Sequence, residues 1–134
     1  MLRGPSMRAI AVEMREDRAA RIRHNAVLLG VPDLTVVQGT APAALEPLPR
    51  PDAVFVGGGA SDRGVLDTAM AALRPGGRLV VNAVTVEGEA ELLARRAAFA
   101  GELLRIAISR VEAIGGMSAW RPARAVTQWA WVKQ

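Results

Sequence analysis

The sequence predicts an α/β fold with a mostly parallel sheet and an antiparallel hairpin at its carboxyl end. Three observations predict it. Short apolar runs alternate with segments of helical periodicity from Met7 to Ala100. Glycine and proline mark most of the joints between them. After Ala100 the rhythm changes, and two apolar runs follow with no predicted helix between them.

Met7 to Met14 reads as a short buried strand ending in acid. Residues 16–29 read as a helix whose buried stripe is Ala19, Ile22, Ala26 and Leu29. Gly30 closes that helix as its C′ residue, and Pro32 follows. Leu34 to Gln38 is a strand, and APAALEPLPRP is a helical turn broken by prolines. Asp52 to Val56 is a strand running directly into Gly57-Gly58-Gly59. Residues 62–73 form a second full helix, stopped by RPGG, and Arg78 to Val84 is the next strand. Residues 87–100 form a third helix. Leu103 to Val111 and Val126 to Val132 are the last two strands, joined by a connector over 112–125 that holds Gly115-Gly116 and Trp120-Arg121-Pro122. Continuously apolar early strands suit a sheet covered by helices on both faces. Trp129 and Trp131 alternate onto one strand face, either beneath a helix or at a subunit interface.

Composition narrows the chemistry. At 134 residues and 51% apolar content the chain is one domain with a packed core. Residues 1–6 are expected to be a disordered start to that single, partial domain. There is no cysteine and one histidine, His24, which excludes a disulfide framework, a thiolate nucleophile and a His-rich metal site. No metal is therefore expected. His24 lies mid-helix among charges and reads as solvent-facing. The net charge is +4, but the arginines are scattered, so no nucleic-acid partner is expected. No apolar stretch reaches membrane-spanning length and no secretory leader is visible, so the expectation is a cytoplasmic protein without a membrane partner.

Four features stand at or near strand carboxyl ends, where ligands bind in open α/β sheets. Glu13 is one. A carboxylate there offers several lone pairs to a ribose diol, although a strand-end acid in water reads the same way. Gly39-Thr40-Ala41 is a small-residue turn that lets a flat ring approach the backbone, or an ordinary strand-to-helix turn. Gly57, Gly58 and Gly59 permit close approach of a ligand, or make a flexible turn. They are not a P-loop, because no Gly-Lys-Ser/Thr follows. Asn82 is a polar residue in an apolar run, either a hydrogen-bonded core residue or part of a site floor.

DAVFVGGG, LRPGGRLVVNAVTVE, LLRIAISRVEAIGG and WRPARAVTQW together resemble the decarboxylating precorrin-6Y C(5,15)-methyltransferases of cobalamin biosynthesis. The resemblance is to the domain that methylates carbon 15, and EMREDRAARIRHNAVLLGV and VQGTAPAAL fit it as well. It implies a class I, Rossmann-like methyltransferase fold using S-adenosylmethionine. Glu13 then matches the ribose-binding acid, Ala41 within Gly39-Thr40-Ala41 the segment beside adenine, and Gly57 to Gly59 the methyl-transfer loop. The implied substrate is a precorrin, a polycarboxylate tetrapyrrole that is methylated at a bridging carbon and loses carbon dioxide from an acetate side chain. Arg121 and Arg124 are candidates to hold substrate carboxylates, and Trp120 to lie against the macrocycle. Each also reads as a surface or core residue. Alignment and desolvation suffice for transfer of an activated methyl, so no strong base is required, and no catalytic residue is assigned. The resemblance also implies a homo-oligomer, a tetramer.

One departure stands out. The family opens with a strand and a GxGxG-type loop roughly 20 residues ahead of the ribose-binding acid. Only twelve residues precede Glu13 here, and the early glycine is Gly4. The expectation is an amino-truncated domain that lacks its central strand and, alone, binds S-adenosylmethionine weakly or not at all. Other readings are an inactive fragment or subunit needing a separate amino-terminal piece, and a class I methyltransferase acting on RNA or protein. The latter lacks an aromatic stacking platform and an Asn-Pro-Pro-Tyr motif. A nicotinamide-dependent oxidoreductase suffers the same missing loop and lacks a catalytic Tyr-Lys pair.

Overall fold

The computed structural model describes residues 7–134, so the start expected to be disordered, residues 1–6, lies outside the described residues. The chain forms two compact units that divide after Pro49.

The first unit holds β1 (Ile10–Glu13), α1 (Glu16–Leu28) and β2 (Thr35–Gln38), followed by a 3-10 turn over Ala43–Leu45. β1 and β2 pair in parallel, Ile10 opposite Thr35 and Glu13 opposite Gln38. α1 lies against both strands and buries Ala19 and Ala26, two members of the predicted stripe. Ile22 is half-buried, but Leu29 is exposed. The reason is local: Leu29 is already the C-cap, and Gly30 with φ +72° turns the chain so that the Val31 amide bonds back to the Ala26 carbonyl at 2.8 Å. His24 is exposed.

The second unit holds β3 (Ala53–Val56), α2 (Arg63–Ala72), β4 (Arg78–Ala83), α3 (Val86–Phe99), β5 (Glu102–Ile106), β6 (Ser109–Ile114), β7 (Met117–Pro122) and β8 (Val126–Val132). Its main sheet has the order β3-β4-β8-β5. β3 and β4 are parallel, and β8 runs antiparallel between β4 and β5. Among the described residues, parallel pairing is confined to β1–β2 and β3–β4, so the four-stranded sheet is mixed, and the carboxyl-terminal part is antiparallel, as expected.

Residues 103–111 are not one strand: the run breaks at Ala107-Ile108 into β5 and β6. The connector over 112–125 is not a loop either. It completes β6 and contains β7, a separate two-stranded sheet turning at Gly115-Gly116. A two-residue turn needs positive φ, and Gly115 supplies φ +58°.

The core of the second unit lies between the sheet and its helices. Leu66, Leu73, Leu79, Val81, Leu92 and Trp129 have no or almost no exposed surface. Asp62 caps α2, its Oδ1 accepting from the Gly64 and Val65 amides, and Thr85 caps α3 through the Gly88 amide. At the other end of α2, Lys133 Nζ donates to the Met70 and Ala71 carbonyls, and Arg50 donates to those of Ala72 and Leu73. Arg95 joins the two helices, donating from Nε to Glu91 at 2.8 Å and from Nη1 to Asp67 at 2.6 Å. These carboxylates hold the buried guanidinium above its ordinary pKa, outweighing the opposing effect of burial. Trp129 donates from Nε1 to the Ala100 carbonyl and stacks on Trp131, which meets Phe99 edge-on. The tryptophan pair therefore shares one face, with Trp129 serving as core. Alternate strand positions on the sheet's other face stay open, Phe55 being 64% exposed. Among the described residues, no helix is long and apolar enough to cross a membrane.

Candidate functional site

The predicted site residues fall into three groups, each inside one unit. In the first unit, β1 and β2 end level with each other, and the Gly39 amide donates to the Glu13 carbonyl at 3.1 Å. Parallel pairing thus brings Glu13 beside Gly39, Thr40 and Ala41. The Glu13 side chain is half-buried, and its Oε1 accepts from the Arg15 amide at 2.9 Å, which fixes the carboxylate across the strand end. A side chain at Gly39 would meet the Ala44 Cβ at 2.8 Å, so the turn folds tightly onto the 3-10 segment behind it. Thr40 accepts the Ala44 amide through its carbonyl, which leaves its exposed hydroxyl uncommitted by that contact. The Ala41–Pro42 peptide is cis.

In the second unit, Val56 sits opposite Val81, so Gly57, the first residue past β3, is level with Asn82, the penultimate residue of β4. Gly57, Gly58 and Gly59 are exposed, and a Cβ at Gly58 or Gly59 would meet nothing within 4 Å. Open space there suits the approach of a ligand. Gly57 differs: a Cβ would strike the Phe55 ring at 2.9 Å. Asn82 is half-buried and accepts through Oδ1 from Gln128 Nε2 at 2.8 Å, which leaves its amide group as a donor.

The third group is on and beside the β6–β7 hairpin. Trp120 is 72% exposed. Trp120 and Arg121 are neighbours in β7, so they point to opposite faces of the hairpin and do not make one wall. Arg121 donates to Glu112 at 2.9 Å, and Arg124 is exposed between β7 and β8.

Sequence reasoning missed a cluster at the carboxyl end of β5. Glu89, in the first turn of α3, accepts from Arg105 Nη2 at 2.6 Å and from the Thr127 hydroxyl. The Thr127 bond, then the Arg105 guanidinium, hold its carboxyl below the ordinary glutamate range. With Leu93, Leu103 and Leu104 these residues line a shallow cavity of about 300 Å³. The available signal was Thr127-Gln128 in the otherwise apolar strand VTQWAWV. No group of three or more possible metal ligands occurs among the described residues.

Comparison with known proteins bears on family and fold. The precorrin methyltransferase domain profile matches residues 1–133. A Sinorhizobium protein named precorrin-6Y C(5,15)-methyltransferase (decarboxylating) is 56% identical over 99% of this chain and 32% of its own length. The chain thus spans about a third of the length of the curated relatives it matches. Among solved structures, the C-terminal domain of the Rhodobacter capsulatus precorrin-6Y C5,15-methyltransferase superposes with a TM-score of 0.86 at 44% identity, over 94% of this chain and 68% of that one. A targeted domain of the same type from Corynebacterium diphtheriae gives 0.90, also at 44% identity, over 97% of this chain and 78% of that one. Superposition at this level makes the α/β architecture that of the class I methyltransferases, and the chain belongs to the precorrin methyltransferase domain family.

Proposed function

We propose that this domain catalyses S-adenosylmethionine-dependent methylation of a bridging carbon of a precorrin, coupled to loss of carbon dioxide from an acetate side chain, in cobalamin biosynthesis. The observation that carries this reading is the family match across residues 1–133. S-adenosylmethionine supplies an activated methyl on a sulfonium, so the protein's work is binding, alignment and exclusion of water. Glu13 accepts hydrogen bonds from the ribose hydroxyls, and the Arg15 amide on its Oε1 holds it in place for that task. Gly39, Thr40 and Ala41 flank the adenine. Gly57, Gly58 and Gly59 form the loop beside the reacting methyl, with open space at Gly58 and Gly59, and the amide of Asn82, oriented by Gln128, donates into the same end of the sheet. Arg121 and Arg124 contact substrate carboxylates, and Trp120 offers an aromatic face to the substrate or to another subunit.

The reading includes a cytoplasmic homo-oligomer, with the tetramer that the resemblance implies. The hairpin supports association. All twelve residues of β6 and β7 are exposed, among them Val111, Ile114, Met117 and Trp120, and a lone two-stranded hairpin is marginal in water.

A second reading, a chain that acts only with a further polypeptide piece, is favoured by one observation. Within its own unit, β1 and β3 each have a ladder partner on one side only among the described residues. One experiment tests both. The chain replaces the matching third of the Sinorhizobium relative, and transfer of a labelled methyl group to a precorrin is measured. Transfer by the chimera, reduced at least tenfold in Glu13→Ala, is expected; a folded chimera without transfer overturns the enzymatic reading. Transfer by the chimera but not by the 134-residue chain supports the second.

A further inference from the structure

The β6–β7 hairpin carries a charge arrangement that its own stability does not require. Its register sets Arg110 directly opposite Arg121. Side chains opposite each other in an antiparallel pair lie on one face with Cβ atoms about 4.5–5.5 Å apart, and like charges there repel. One acid answers the two guanidiniums: Glu112 accepts from Arg121 Nη1 at 2.9 Å. Arg110 is exposed, and its guanidinium has no ion-pair or hydrogen-bond partner among the described residues. Arg124, also exposed, follows within three residues of Arg121 and adds a further positive charge near the hairpin's base, where the Ala123 amide bonds to the Ile108 carbonyl at 2.8 Å. Trp120 and Val111 occupy the other face, and the exposed pair Ile114 and Met117 lies further along the arginine face, at the turn end of the hairpin.

We propose that Arg110 and Arg121 form a two-guanidinium clamp for a carboxylate of the polyacidic tetrapyrrole, with Arg110 the specificity-determining member. The inference rests on the substrate class proposed above. A carboxylate placed between the two side chains converts their repulsion into two charge-assisted contacts, and the planar guanidinium favours bidentate geometry over a point charge. Glu112 holds Arg121 in position and leaves the rest of its donor fork free for the ligand.

The test is a fluorescence titration of the 134-residue protein with uroporphyrin, an eight-carboxylate tetrapyrrole, at physiological salt. Saturable binding is expected, weakened about tenfold or more in Arg110→Ala, the scale of a lost hydrogen bond to a charged group. Arg110→Lys should recover only part of the loss. Arg23→Ala, an exposed arginine on α1, should bind as wild type. No binding by the wild type, unchanged binding in Arg110→Ala, or an equal loss in Arg23→Ala overturns the clamp. Failure here with methyl transfer intact in the chimera sinks the clamp alone. Arg110-dependent porphyrin binding without methyl transfer sinks the enzymatic reading and leaves the clamp standing.

Discussion

β8 and β7 are strands of seven and six residues in the same unit, each with tryptophan, yet they live in different environments. β8 is paired on both edges, by β4 and β5, and Trp129 lies wholly buried in the core. β7 is paired on one edge by β6, and every residue of it is exposed. The difference teaches that strand formation and burial are separate matters here. β8 holds the unit together, whereas β6 and β7 owe their shape to their turn and to backbone ladder bonds. A surface so maintained is free to carry charges that a core-forming strand would exclude.

The largest test of this contrast is a pair of truncations. Trp129→Ala should cost about 3–5 kcal/mol, because it removes a large buried ring and its bond to the Ala100 carbonyl. Trp120→Ala should stay within about 0.5 kcal/mol in the isolated subunit. Denaturant melts of both variants measure this, and similar losses would erase the distinction. A smaller and local effect is expected of Gly115→Val. It puts a β-branched residue where the turn demands φ +58°, costing the hairpin about 1–3 kcal/mol. Amide exchange should accelerate in β6 and β7 and remain unchanged in β4 and β8.

The smallest effect concerns acid. The carboxyl of Glu89 titrates below its unfolded value because Thr127 and Arg105 bond to the ionised form. Its contribution to stability is therefore complete above the ordinary glutamate range and is lost as pH falls through the lowered folded value. Wild type should melt slightly higher than Glu89→Gln at neutral pH, and the two curves should converge in acid. A gap that persists or widens on acidification would contradict the sign.

Much of the fold was legible because its signals are local. Gly30 after a periodic run acts through its own backbone neighbours, so sequence position alone identifies it, whereas Asp62, read as the first residue of the second helix, is its cap. Leu29 misled because helical spacing continues one step beyond the turn that ends the helix. The hairpin was missed for a different reason. Neither face of β6 or β7 is buried, so burial imposes no clean apolar alternation, although Gly115-Gly116 is a good two-residue turn. At the candidate site, Glu13, the Gly39 turn, Gly57 to Gly59 and Asn82 were visible as strand-end residues. The Glu89–Arg105–Thr127 cluster and the Arg110–Arg121 pair were not, since each joins distant positions through strand register.

The tryptophans also divide the molecule optically. The chain has three tryptophans and no tyrosine, and all three tryptophans fall after Pro49. Emission under indole excitation therefore reports on the carboxyl-terminal unit alone and is silent about β1, α1 and β2. A melt followed by emission and one followed by far-ultraviolet circular dichroism, to which α1 contributes, will coincide only if both units unfold as one. Any offset between the two curves dates the loss of the Glu13 strand relative to the loss of the tryptophan core.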